Sequence, residues 1–198
     1  PFTIVTATTP FTGYQKVVIV VLAFLQFTII LDFMIISPLG AFLMPALQIT
    51  ASEFGLVVSA YAFSAGASGL LAAGFADKFD RKKLLLFFYT GFILGTLWCA
   101  LAPNFHSLLL ARIFTGVFGG VIGAIVMAIA TDLFPIEMRG RVMGVVQSAF
   151  AASQVMGLPL GLYLSNHWGW HSSFLMIVVF ATLVWGLIIA YLKPIDTQ

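Results

Sequence analysis

The sequence predicts an all-α membrane protein with six transmembrane helices, arranged as two three-helix repeats of opposite orientation. Three observations carry this. Of 198 residues, 61% are apolar and 8% are charged, whereas an average soluble domain carries about a quarter charged residues. Mean hydropathy is +1.09. Seven acids and nine bases cannot cover a water-soluble fold of this size, so soluble enzymes, nucleic-acid binders and disordered tails are excluded. The third observation is that eight of the nine bases lie in alternate connections or at the termini, the ninth, Arg112, falling within the fourth apolar run.

A bilayer core of about 30 Å takes about 20 helical residues at about 1.5 Å each. Six runs qualify. The first covers residues 17–37 and can extend past Pro38 to Leu47. The second covers 54–75, the third 84–102 and the fourth 107–131. The fifth covers 142–164 and the sixth 172–192. Backbone polar groups in lipid must be satisfied within the segment, and the two-residue alternation of a membrane barrel is missing, so the runs are helices.

Placing the N-terminus in the cytoplasm puts Lys16, Lys78, Arg81, Lys82, Lys83, Arg139, Arg141 and Lys193 on the inner side. The outer loops, 48–53, 103–106 and 165–171, hold no lysine or arginine. The positive-inside rule then puts both termini in the cytoplasm, with Trp168 and Trp170 as outer interfacial anchors. The connections are short, so function must lie between the helices.

A charge at mid-membrane costs about 2.5–3.5 kcal/mol on insertion scales, which makes each one a functional candidate. Asp32 lies about 24 Å along the first helix from Lys16, and Arg112 about 8 Å in from the outer start of the fourth. Their depths match. They are read either as a proton-linked pair, in which protonation of Asp32 frees Arg112, or as static glue between helices, with Arg112 alternatively snorkelling outward. Gln26 and Tyr61 are candidate cavity-lining residues. In the fifth span, Gln147, Gln154, Gly157 and Gly161 fall at helical spacing on one stripe. Interhelical hydrogen bonding, about 0.6 kcal/mol on average, is the plainer reading of these glutamines.

Glycines of the second and fourth spans read as packing devices that let backbones approach. Gly157-Leu-Pro159-Leu-Gly161 differs, because Pro159 removes a backbone donor and bends the helix, for a gate or for packing. The loop from Gly74 to Lys83 interleaves acids with bases. Asp77 is expected to meet a helix N-terminus and Arg81 an acid elsewhere, with Asp132 the best candidate. Cys99 is alone in an apolar run, so no disulfide or cysteine-based metal cage is expected. His167 and His171, four residues apart near the start of the sixth run, are placed to share one helical face that could hold a metal weakly, but no third ligand is nearby, so no metal site is expected. Hydrolase, metalloprotease and phosphate-loop patterns are missing, so the chain is not read as an enzyme.

Taken together, nearly the whole chain resembles the N-terminal six-helix half of the major facilitator superfamily. Asp77, Lys78, Arg81 and Lys82, preceded by Gly74, are similar to the superfamily's loop signature, and Asp80 stands where that signature has a glycine. Arg112-Ile-Phe-Thr-Gly116 resembles the R-x-x-x-G pattern of proton-coupled members. Asp32 to Pro38 resembles the acid-to-proline pattern of drug and sugar exporters. Gly157, Pro159 and Gly161, followed by Trp170-His171-Ser-Ser-Phe174, resemble an antiporter signature of sugar-efflux permeases, with His171 replacing its usual arginine.

The resemblance implies a twelve-helix transporter that exports small organic molecules, sugar or drug-like, in exchange for protons. No cofactor is implied, since the proton gradient supplies the energy. Asp32 and Arg112 would couple the proton. Gln26, Tyr61, Gln147 and Gln154 would line the substrate cavity, and Gly74, Asp77, Arg81 and Asp132 would form the cytoplasmic gate. Implied partners are the small-molecule substrate, protons, the lipid bilayer and a second six-helix half (a C-terminal one, or another copy of this chain), with no nucleic acid. A bacterial inner membrane is the expected location. A uniporter or symporter, and a non-transporting assembly domain, are the alternatives.

Overall fold

The structure is a computed structural model that describes residues 10–195. Its spanning helices begin earlier than the apolar runs, and at four of the six starts a polar side chain caps the first turn. α1 (Gly13–Ile35) opens on Thr12, whose Oγ1 accepts from Gln15 N at 3.2 Å while Gln15 Oε1 accepts from Thr12 N at 3.0 Å. This reciprocal capping box satisfies two otherwise unpaired donors. After a turn containing Pro38 comes the short α2 (Gly40–Leu47), which ends at Gln48 in a left-handed conformation. The expected extension to Leu47 is therefore helical but interrupted.

Thr50 and Glu53 repeat the capping box at the start of α3 (Ala51–Ala72). Asp80 caps α4 (Arg81–Leu101) and Asn104 caps α5 (Phe105–Leu133), each by accepting from the backbone three residues on. The fifth run is divided into α6 (Ile136–Ala152), a π turn over Ser153–Gly157, and α7 (Leu158–Trp168). α8 (His171–Tyr191) is the last span. Among the described residues six segments, counting α6 to α7 as one, are long and apolar enough to cross a bilayer.

α3 and α4 both pack along α5, while α1 packs against α6 and α8. Glycines bring these axes together. A Cβ on Gly116 would stand 2.7 Å from the Tyr61 carbonyl oxygen, and one on Gly120 would strike the Ala65 carbonyl oxygen of the same α3. Leu31 and Ile35 of α1 nest on Gly157 and Gly161, where added Cβ atoms would lie 2.7 Å from their Cδ1 atoms. The Gly-x-Pro-x-Gly stretch thus seats α1. The π turn lies immediately before Pro159, with Leu158 N bonded back to Ser153 O.

Two apolar clusters fill the bundle. The one at the basic end gathers Leu22, Leu85, Ile125, Val146 and Ile188. The other gathers Ile35, Leu43, Leu108 and Phe174 at the opposite end. Buried polar groups lie near their seam: Thr28 hydrogen-bonded to Tyr89 at 2.9 Å, and Asp32, Thr96 and Arg112.

Two sequence expectations change here. Gln147 is exposed and Gln154 half-buried, whereas Gly157 and Gly161 are buried against α1, so the four do not share one stripe. The π turn is the reason, because its wider ring shifts the register of all that follows. His167 and His171 do not share a helical face either. Gly169, at φ 89°, separates their helices, and their Nδ1 atoms bond to the carbonyls of Tyr163 and Ala100.

Candidate functional site

Asp32 and Arg112 meet inside the bundle, both fully buried. Arg112 Nη1 donates to Asp32 Oδ2 and to the Asp32 backbone carbonyl, each at 3.2 Å. α1 supplies the acid because Leu31, beside it, is pressed onto Gly157. α5 supplies the base, and Gly116, one turn on, lets α3 come close enough to lay the Tyr61 ring 4.5 Å from the guanidinium carbon. Such a face-on cation contributes about 0.5–2 kcal/mol. Thr96 Oγ1 lies 3.4 Å from Asp32 Oδ1 and donates more closely, at 3.0 Å, to the Phe92 carbonyl.

The pair is incompletely satisfied. Among the described residues, Arg112 Nε and Nη2 are buried without a hydrogen-bond partner, and so are Tyr61 Oη and Gln26 Oε1. An unpartnered buried polar group costs about 1–3 kcal/mol, and more when charged. The arrangement therefore stores a demand for an acceptor beside a carboxylate that can take a proton.

The other candidate cavity residues are distributed around this pair. The Tyr61 ring joins Ile29, Ile30, Phe33, Ala62, Ala65 and Gly119 around a hollow of about 320 Å³ on the flank of α1 and α3. Gln26 lies one turn before Ile30 on α1 and is half-buried. Gln147 and Gln154 stand on the α6 side, apart from Tyr61, and Gln154 Nε2 lies 3.5 Å from Ser153 Oγ. Asp32 faces Arg112 within the bundle.

At the basic end Arg81 is 4% exposed and uses all three guanidinium nitrogens. Nε donates to Asp132 Oδ2 at 2.9 Å, Nη2 to Asp77 Oδ1 at 2.7 Å, and Nη1 to the Ala76 carbonyl at 2.8 Å. Asp77 thus serves Arg81 itself rather than a helix N-terminus. Gly74 lies in the turn after α3 without a close tertiary contact. Arg139, read from sequence only as an inner-side charge, donates to the carbonyls of Phe134 and Thr131 and so caps the end of α5 beside Asp132. Among the described residues, no group of three or more His, Cys, Asp or Glu side chains is placed to hold a metal ion.

Sequence reasoning missed Thr96 and Thr115. Thr115 donates to the Ala111 carbonyl at 2.6 Å and lies 3.8 Å from Cys99 Sγ. Both threonines are internally bonded helix residues, and their one sequence signal is Gly95, whose missing side chain makes room for Thr115 and Phe114.

A family model described as Major Facilitator Superfamily matches residues 22–198. An uncharacterised transporter of that type from Bacillus subtilis, YceJ, is 30% identical over 169 residues, 85% of this chain and 43% of that protein. A probable sugar efflux transporter of Mannheimia succiniciproducens is 27% identical, over 76% of this chain and 38% of the relative. Multidrug resistance protein 3 of B. subtilis is 28% identical, over 80% of this chain and 29% of that relative. Among solved structures, a bacterial homologue of the human lysosomal transporter Spinster, inward-facing and unoccupied, superposes at TM-score 0.82 with 18% identity, covering 96% of this chain and 45% of the other. The inward-open xylose transporter XylE of Escherichia coli superposes at 0.78 with 17% identity, covering 89% of this chain and 47% of XylE. The chain spans less than half the length of each.

Proposed function

The chain belongs to the major facilitator superfamily of membrane transporters, and from that premise we propose that it forms the N-terminal six-helix half of a proton-driven exporter of small organic molecules. Cytoplasmic-facing termini and a bacterial inner membrane go with this reading. The substrate class, sugar or drug-like, follows the names of the relatives and requires the second half to complete the cavity.

One observation carries the proton coupling: a fully buried Asp32 whose ionic partner among the described residues, Arg112, has two nitrogens without a hydrogen-bond partner there. When Asp32 takes a proton, its attraction for Arg112 falls and the arginine becomes free to seek another acceptor. A ligand oxygen, or a group exposed by rearrangement of the halves, supplies it. When substrate leaves, Arg112 returns to Asp32 and the proton is released. Pairing changes of this kind bias an equilibrium between two global states.

The basic-end cluster acts as the gate. With Arg81 bonded to Asp77 and Asp132, the loop after α3 and the end of α5 are held together, which closes the cytoplasmic side and favours the outward-open state.

Asp32→Asn in the intact transporter, reconstituted in liposomes, tests the coupling. Accumulation driven by a pH gradient is expected to fall to the passive rate while equilibrium binding of substrate persists. Full gradient-driven accumulation by the variant refutes proton coupling through Asp32. Exchange of substrate across equal pH that survives in the variant distinguishes a transporter from an assembly domain, which transports under no condition.

A further inference from the structure

Asp80 uses both of its carboxylate oxygens. Oδ1 accepts from Lys83 N at 2.8 Å and so caps α4. Oδ2 accepts from Ile195 N at 2.9 Å, from the segment that leaves α8. The Ile195 carbonyl accepts in turn from Arg81 N at 3.1 Å. The exit segment is thereby tied at two points to the first turn of α4, across 115 residues of sequence. Leu192 and Ile195 are buried in the basic-end cluster, and Lys82 Nζ reaches the Ile189 carbonyl at 3.3 Å as a further tie.

A helix cap needs one acceptor. The second oxygen of Asp80 has a separate role, and its location shows what that role touches. Arg81 is held through its backbone N–H by Ile195 and through its guanidinium by Asp77 and Asp132. The exit segment, the loop after α3 and the end of α5 therefore converge on one arginine.

We propose that Asp80 is a positioning residue of the gate: it fastens the segment leaving α8 to the backbone of Arg81, so that displacement of that segment reaches the arginine joining α4 to α5. In the twelve-helix protein proposed above this segment leads toward the second half, and rocking of the halves pulls on Arg81 through Ile195. The inference rests on the gate reading.

Asp80→Asn separates the two roles. Its amide oxygen still caps α4, since asparagine caps about as well as aspartate, but its amide nitrogen cannot accept from Ile195 N. Asp80→Ala removes both. In the full-length transporter in nanodiscs, two quantities are measured: amide exchange over 192–195, and the inward-to-outward ratio from distances between spin labels on the basic ends of the two halves. Asp80→Asn is expected to speed exchange at Ile195 roughly tenfold and to raise the inward fraction, with Asp132→Asn raising it further. Unchanged exchange in Asp80→Asn overturns the proposal. So does faster exchange with an unchanged ratio while Asp132→Asn still shifts it, a result that leaves the gate standing. A shift in Asp80→Ala alone assigns Asp80 to capping and also overturns it. If neither Asp132→Asn nor Asp80→Asn moves the ratio, the gate reading fails and the proposal with it.

Discussion

Arg81 and Arg112 are both buried arginines paired with aspartate, and they differ in how fully they are satisfied. Arg81, at the basic end, uses Nε, Nη1 and Nη2 on three acceptors, one of them the 79%-exposed Asp77. Arg112, at the seam of the bundle, engages Asp32 through Nη1 alone and leaves two nitrogens bare. A saturated guanidinium has nothing to gain by moving, so it holds elements in place. An unsaturated one in a dry site gains from any new acceptor, so it is suited to exchange partners. On the proposed function, the difference separates a latch from a coupling site within one chain.

The largest effect is expected from Arg112→Ala, which leaves Asp32 buried without its counter-charge. Removing one member of a buried pair costs about 3–5 kcal/mol, read as a lower unfolding temperature in detergent. Asp32→Asn combined with Arg112→Ala should cost less than the sum of the single changes. Additive costs would show that the two side chains do not interact, and the contrast with Arg81 would lose its basis.

Gly116→Ala comes next, because its methyl would press on Ser64 and the Tyr61 backbone and push α3 from beneath the guanidinium. Overpacking of this kind costs about 1–3 kcal/mol. Gly123→Ala in the same helix meets nothing within 4 Å and should gain up to about 1 kcal/mol from helix propensity. Equal losses at both positions would mean that contact with α3 is not what requires glycine.

At the latch the effects are smaller and graded by exposure. Asp132, the less exposed acid, should matter more than Asp77. Asp77→Asn should change stability by about 0–1 kcal/mol, the range for exposed pairs, and should shift label distances at the basic end less than Asp132→Asn does. The reverse order would place the latch on the α3 side of Arg81 alone. The smallest effect is that of salt. Raising ionic strength from about 0.1 M to 1 M shortens the screening length from about 10 Å to 3 Å, so the Asp77 contribution should fade while the Asp32–Arg112 coupling stays constant. A coupling that weakens in salt would mean that water reaches the buried pair.

Arg112 was visible in the sequence as a charge out of place and Arg81 as one base of an inner loop that interleaves acids, and its pairing with Asp132 was legible because few acids lie at that face. The difference in saturation was not. It depends on Ala76 turning its carbonyl toward Arg81, and on Tyr61 covering Arg112 with a ring face instead of its hydroxyl. Gln147 and Gln154 were assigned to the stripe of Gly157 and Gly161 by a period that assumes an unbroken α-helix, and the π turn at Ser153–Gly157 breaks it. Asp80 stood out only as an acid where a glycine was expected. Its partner Ile195 carries no polar side chain to mark it, since the bond is to its backbone.

The sequence by itself determined the number of spanning helices, the end of the bundle that carries the bases, and the two charges buried among apolar residues. Hydropathy and charge add along the chain, and each segment meets lipid or water on its own account. Only the tertiary structure decided which nitrogens of each arginine find acceptors, that α1 rests on Gly157 and Gly161, and that the exit of α8 is tied to Asp80. Those outcomes depend on interhelical distances to a fraction of an ångström, set where glycines let backbones touch, and no sum over single residues contains them.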